Sequence, residues 1–302
     1  MRRSTQIVLL AVLALLVASL VVAAVVVSVQ GSGSASPVVT SSIPVSGSFT
    51  PPRGAVVLAR ESGNRAVALA VGRRRLTATV LAGSGEPESG LPVSFRLGSR
   101  TVKASSCGNG CYSAAAPAGR RVDVLLGHGA PVSFDVPGHP RPGDAIVRRA
   151  SRVWRNLSSL AYVESLRSSP KAGLVSTWRM QAPDRMSFTI QDGASAVVVG
   201  NRRWDQRKPH GKWVESETPT LHLPTPTWGN PTVNAHVLGT ATVAGRPVWV
   251  VSFVNPSVPA WFTAWIDRSN YRTLRMRMTA ASHFMFHRYV EFDRPLGIKP
   301  PK

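Results

Sequence analysis

The chain has 302 residues, 36 Lys+Arg against 15 Asp+Glu, and a formal net charge of +21. A hydrophobic content of 43% is enough for packed cores and excludes wholesale disorder. Two cysteines exclude both a disulfide-dense scaffold and a cysteine-rich zinc protein.

Residues 7–29 form an apolar run interrupted only by Ser19 and Ser28. A helix needs about 20 such residues to cross a bilayer core, and a signal peptide's apolar region is shorter, at about 7–15. Arg2 and Arg3 precede the run and an uncharged stretch follows it. The positive-inside rule then predicts a cytoplasmic tail over 1–6, a single-pass transmembrane helix over 7–29 and an extracytoplasmic remainder. Cleavage near Gly33-Ser34-Ala35 is the alternative, and both readings export the rest. Nearly all of the positive charge therefore lies outside the cell. There it meets an anionic envelope surface, not nucleic acid, or reflects no more than an Arg-rich composition.

Residues 30–52 read as a flexible Gly/Ser/Pro linker. Over 53–138, short apolar or alternating runs recur about every ten residues: Ala55–Ala59, Ala66–Val71, Leu76–Val80, Leu91–Leu97, Val122–Leu126 and Val132–Val136. Five to seven strands at that spacing predict an all-β sandwich. Cys107 and Cys111 bracket Gly108-Asn109-Gly110, residues that tolerate a tight turn. In an oxidising compartment the pair is expected as a disulfide, with a Cu(I)-binding thiolate pair as the alternative. The strands Leu76–Val80, Gly90–Phe95 and Gly110–Ala114 resemble exported immunoglobulin-like modules of the YtkA-like and CopC-like kind. That resemblance implies the sandwich fold; the N-terminal His ligand of the copper proteins has no counterpart here.

Gly138–Gly143 marks a boundary, and 144–302 reads as a second, α+β unit. Apolar residues at 146, 147, 150, 153, 154 and 157 predict one helix, followed by about eight strands. Asp192-Gly193 is a hairpin signal. Several segments of this unit, among them Trp178 with Ala182–Met186, Trp265–Arg268 and Tyr289–Ile298, resemble the LolA-like lipoprotein-sorting family. The resemblance implies a curved antiparallel half-barrel closed over an apolar cavity by helices. It departs from a soluble shuttle in having the anchor and the front module.

Trp178, Trp204, Trp249, Trp261, Trp265 and Phe253 are the candidate wall of a cavity for a lipid or other apolar ligand; filling a core is their other use. Alternation groups Trp249 with Val251 and Phe253, and Trp261 with Thr263 and Trp265. On one face of a late strand lie His283, Met285 and His287, with Met276 and Met278 on the strand before. Imidazole and thioether suit Cu(I), and the segment Met278–Met285 resembles exported regions of actinobacterial copper-resistance membrane proteins. No H-E-x-x-H, G-x-S-x-G or P-loop occurs, so the sequence predicts no enzyme. The leading expectation is a membrane-anchored exported protein that binds an apolar ligand. Copper handling, or a structural and assembly role, are the alternatives; no cofactor is certain.

Overall fold

The computed structural model describes residues 50–302. The cytoplasmic tail, the apolar run at 7–29 and the linker as far as residue 49 lie outside the described residues. Among the described residues, no helix is long and apolar enough to cross a membrane.

The chain is built mainly from β-strands, with one helix among the described residues. Nine strands come first. β1 (Val56–Ser62), β2 (Arg65–Val71), β3 (Leu76–Leu81), β7 (Cys111–Ala114) and β6 (Ser105–Gly108) form a five-stranded antiparallel sheet in the order β1-β2-β3-β7-β6. β4 (Val93–Leu97), β5 (Arg100–Lys103), β8 (Arg121–Leu126) and β9 (Val132–Asp135) form a second sheet, ordered β5-β4-β8-β9. Val67, Leu69, Leu76, Phe95, Tyr112 and Phe134 belong to one buried cluster drawn from both sheets, so the two sheets form a sandwich. Nine strands exceed the expected five to seven. β5 and β6 are short and largely exposed, so they carry little of the apolar alternation that marks a strand in sequence.

β2 is buried on both faces, and its sequence says how. Val67 and Leu69 point into the sandwich. Ala66, Ala68 and Ala70 point the other way and pack with Val254, Trp261 and Phe284 of the second unit. Small side chains on that face let one sheet approach another closely. Two bonds from the Asn234 amide, to Pro52 O (2.8 Å) and Ala55 O (2.9 Å), reinforce this contact, as does the Arg167–Glu61 ion pair.

The second unit holds helix α1 (Asp144–Arg155) and twelve strands in one antiparallel sheet. These are β10 (Arg141–Pro142), β11 (Ser159–Ser169), β12 (Ala172–Gln181), β13 (Arg185–Ile190), β14 (Ser195–Val199), β15 (Arg202–Gln206), β16 (Trp213–Glu217), β17 (Val233–Val243), β18 (Arg246–Asn255), β19 (Ala260–Asp267), β20 (Thr273–Ala280) and β21 (His283–Phe292). Eleven strands follow the helix where about eight were expected. The order is β10-β17-β18-β19-β20-β21-β11-β12-β13-β14-β15-β16. Two meanders are thus joined where the last strand, β21, returns to pair with β11, the first strand after the helix, Tyr162 opposite Tyr289.

A flat sheet this wide would span about 50 Å, whereas a 12-residue helix is about 18 Å long. Yet residues from β17 round to β14 share one apolar cluster with α1. The sheet therefore curls around the helix. Val147, Ala150, Ser151 and Trp154, at helical spacing, are the buried stripe of α1. Asp144 in its first turn and Arg152 and Arg155 in its last complement the helix dipole. Gly143 lets the helix start close to the sheet: a Cβ there would stand 2.9 Å from Val251 Cγ1.

Candidate functional site

Register decides which side chains face the helix. Trp249 pairs with Ile266, Val251 with Ala264 and Phe253 with Phe262, and all six pack in the helix-side cluster. The alternate positions pair Val250 with Trp265, Ser252 with Thr263 and Val254 with Trp261, so these face outward. Trp178, Trp249 and Phe253 thus lie on the inner, concave face. Trp261 and Trp265 do not. Trp261 packs under the front sheet, and Trp265 contacts Phe286 edge-on at 6.3 Å. Trp204 also faces outward, opposite Val197, with its indole N–H donating to Glu215 (3.0 Å). Strand alternation sorts residues into two faces, but only the pairing tells which face is inside; the sequence could not supply that step.

The inner face is covered by α1 and by residues 218–232. Leu221, Leu223 and Trp228 of that segment join the same cluster. The two parts of the cover are tied together: the Trp228 indole N–H donates to Ser151 Oγ (2.9 Å), and Trp154 meets the Trp228 ring edge-on at 5.0 Å. Trp154 also contacts the Tyr289 ring edge-on, at 5.0 Å. Its own indole N–H is buried with no acceptor among the described residues. Two clefts of about 400 and 520 Å³ lie elsewhere. The first is lined by Pro52, Thr77, Thr79, the Cys107–Cys111 turn and Trp261; the second by Asp144, Arg148 and Asn230–Thr232. Behind the cover, the side chains of the concave face pack with those of the cover in one buried cluster.

At the centre of this apolar face lies a polar group that sequence reading missed. Met276, His287, Glu164 and Ser176 face one another across four successive strands. Glu164 is 3% exposed and His287 0%. His287 Nε2 is hydrogen-bonded to Glu164 Oε2 at 2.7 Å, and Ser176 Oγ donates to Glu164 Oε1 at 3.2 Å. The Trp178 indole N–H in turn donates to Ser176 Oγ at 2.8 Å. His287 Nδ1 stands 3.0 Å from the Tyr289 hydroxyl. Tyr162 stacks on the His287 ring at 4.7 Å. Burial first, then the nearby Glu164 carboxylate, pushes the Tyr162 hydroxyl well above its ordinary range. Burial does the same to Tyr289, against an opposing hydrogen bond from Thr227. Both phenols stay protonated, able to donate. One signal for Glu164 was present in the sequence: it shares strand parity with Tyr162 and Leu166, so it must follow them inward.

The same pairing brings His283, Met285, His287, Met276 and Met278 onto the inner face, with Met278 opposite Met285 and Met276 opposite His287. Both His287 nitrogens are occupied, by a carboxylate and a phenol, so His287 has no free lone pair for a metal. His283 Nδ1 lies 3.0 Å from Ala281 O. Cys107 and Cys111 are joined as a disulfide and offer no thiolate. Among the described residues, no group of three or more His, Cys, Asp or Glu could share a metal ion. Asp267 and Asp293 tie loops: Asp267 accepts from Ser269 N (2.8 Å) and Asp293 from Ser158 N (2.8 Å).

No protein-family model matches the sequence, and no curated protein matches it. Several solved structures are distantly similar. LprF from Mycobacterium bovis is 14% identical, with 54% of this chain and 99% of that one covered, at a TM-score of 0.39. The lipoprotein LppX of Mycobacterium tuberculosis is 11% identical over 51% of this chain and 97% of its own, at 0.38. A LolA superfamily protein from Nitrosomonas europaea is 10% identical over 52% and 95%, at 0.25. Likeness at this level assigns no family and no ligand; the architecture above rests on the strand order and register of this chain.

Proposed function

We propose that this protein is a membrane-anchored, extracytoplasmic carrier that binds a lipid or another apolar ligand against the concave face of its twelve-stranded sheet. One observation carries the reading. A wide aromatic and Met-rich face is closed by one helix and one irregular segment, which hold each other mainly through Trp154, Trp228 and Ser151. A cover of that size can lift without breaking the sheet, since it contributes no strand to it. The ligand's chain would replace the Trp154 and Trp228 rings against Trp178, Phe253 and Met276. A polar head would meet Glu164, His287 and the unpartnered Trp154 N–H, all of which are buried. The anchor at 7–29 keeps the carrier at the membrane, and the front sandwich braces the sheet from outside.

The test is to purify the full chain in mild detergent, extract it for lipid, and titrate it with a fluorescent fatty acyl probe. Bound lipid or saturable uptake, weakened by Phe253→Glu, is the expected result. No lipid and no uptake would remove the proposal.

A further inference from the structure

The outer face of the same sheet carries a second pattern, independent of the ligand reading. On that face Trp265 stands opposite Arg275, and Arg275 opposite Arg288. In the next row Arg277 stands opposite Phe286. Two arginines directly across an antiparallel pair repel each other, an arrangement that folding alone disfavours. The Arg275 Nε–H is moreover buried with no acceptor among the described residues. Neither row supplies a carboxylate. Glu61 of the front sheet is the acid that reaches this region, and it is already paired with Arg167. Glu291, the next acid along β21, is three residues beyond Arg288. Arg277 and Arg288 remain exposed, and Trp265 and Phe286 half-buried.

We infer that this outer face, formed by Arg275, Arg277 and Arg288 around Trp265 and Phe286, binds the phosphate groups of anionic phospholipids. Guanidinium groups match phosphate oxygens with paired donors. The rings beside them are half-exposed, the setting in which aromatic side chains sit at the head-group level of a bilayer. No enclosing pocket surrounds the rows, so a lipid surface fits them better than a single small ion. The site would lay the exported part against the membrane, or against lipid in transit.

The test uses the full chain in nonionic detergent micelles doped with equal phosphatidylglycerol and phosphatidylcholine, read by native mass spectrometry. Wild type should retain phosphatidylglycerol about fivefold or more over phosphatidylcholine. The triple variant Arg275→Gln, Arg277→Gln, Arg288→Gln should lose that preference. The single Arg288→Gln change, at an exposed position, should reduce it and guards against misfolding of the triple. A control with the same charge change in the front unit, Arg73→Gln, Arg74→Gln, Arg120→Gln, should keep it. No preference in wild type, or equal loss in the control, would overturn the proposal. Abolition by inorganic pyrophosphate at the lipid concentration would also overturn it, in favour of a free-phosphate site.

Discussion

His287 and Glu164 face each other at 2.7 Å, both almost wholly buried. Breaking a buried pair leaves the surviving partner without compensation, a loss of about 3–5 kcal/mol. Glu164→Ala and His287→Ala should each destabilise by that amount in urea unfolding, and a loss below about 1 kcal/mol would mean the pair is not buried as described. The neighbouring phenols set an alkaline limit. Tyr162 and Tyr289 have folded pKa values raised above the ordinary 10.0, so their contribution is complete below that value and is lost as pH rises beyond it. Tyrosine absorbance should therefore show these two ionising only with alkaline unfolding. At the acid end Asp123 is held down to about 2 by the Ser133 hydroxyl and Arg96. Its contribution is present above the unfolded value near 3.8 and is lost as pH falls toward 2. Replacing Asp123 with Asn should flatten stability against pH across that window; an unchanged curve would contradict the assignment.

Helix α1 was legible from its apolar spacing alone, because a 3.6-residue period survives without knowledge of partners. The strands of both units were legible as apolar runs, except those too short or too exposed to alternate. What the sequence withheld was facing. Trp249 and Trp265 look alike in sequence and end on opposite sides of one sheet, since a strand's inner face is fixed by its neighbours' register. The cover segment 218–232 was invisible for a related reason: it has no period, and Leu221, Leu223 and Trp228 are buried by loop geometry. Trp154→Ala removes the ring that joins helix to cover. It should cost about 3–5 kcal/mol in the empty protein, by the usual loss for a buried aromatic. If the ring is what a ligand displaces, the same variant should retain acyl uptake.

At the scale of the whole molecule, the front sandwich is more than a spacer. Strand β2 of its five-stranded sheet is buried between the partner sheet and the outer face of the twelve-stranded sheet, with Ala66, Ala68 and Ala70 against Trp261 and Phe284. An apolar seam of this kind couples the two units. A single calorimetric transition is expected for residues 50–302, and Ala68→Glu, which places a charge in the seam, should split it in two. Two transitions in the unaltered protein would show the units to be independent. The run of small apolar residues in β2 was visible in the sequence, but its double burial required knowing that a second sheet lay behind it.

The central claim is that an apolar ligand sits under α1 against the concave face. The most direct measurement is photolabelling of the full chain with a diazirine-bearing fatty acid, followed by peptide mapping. The account predicts label on inner-face residues such as Trp178, Phe253 and Met276, reduced by excess unlabelled fatty acid. Label confined to residues 7–29 or to the outer-face Trp261 and Trp265, with none on the concave face, would contradict it.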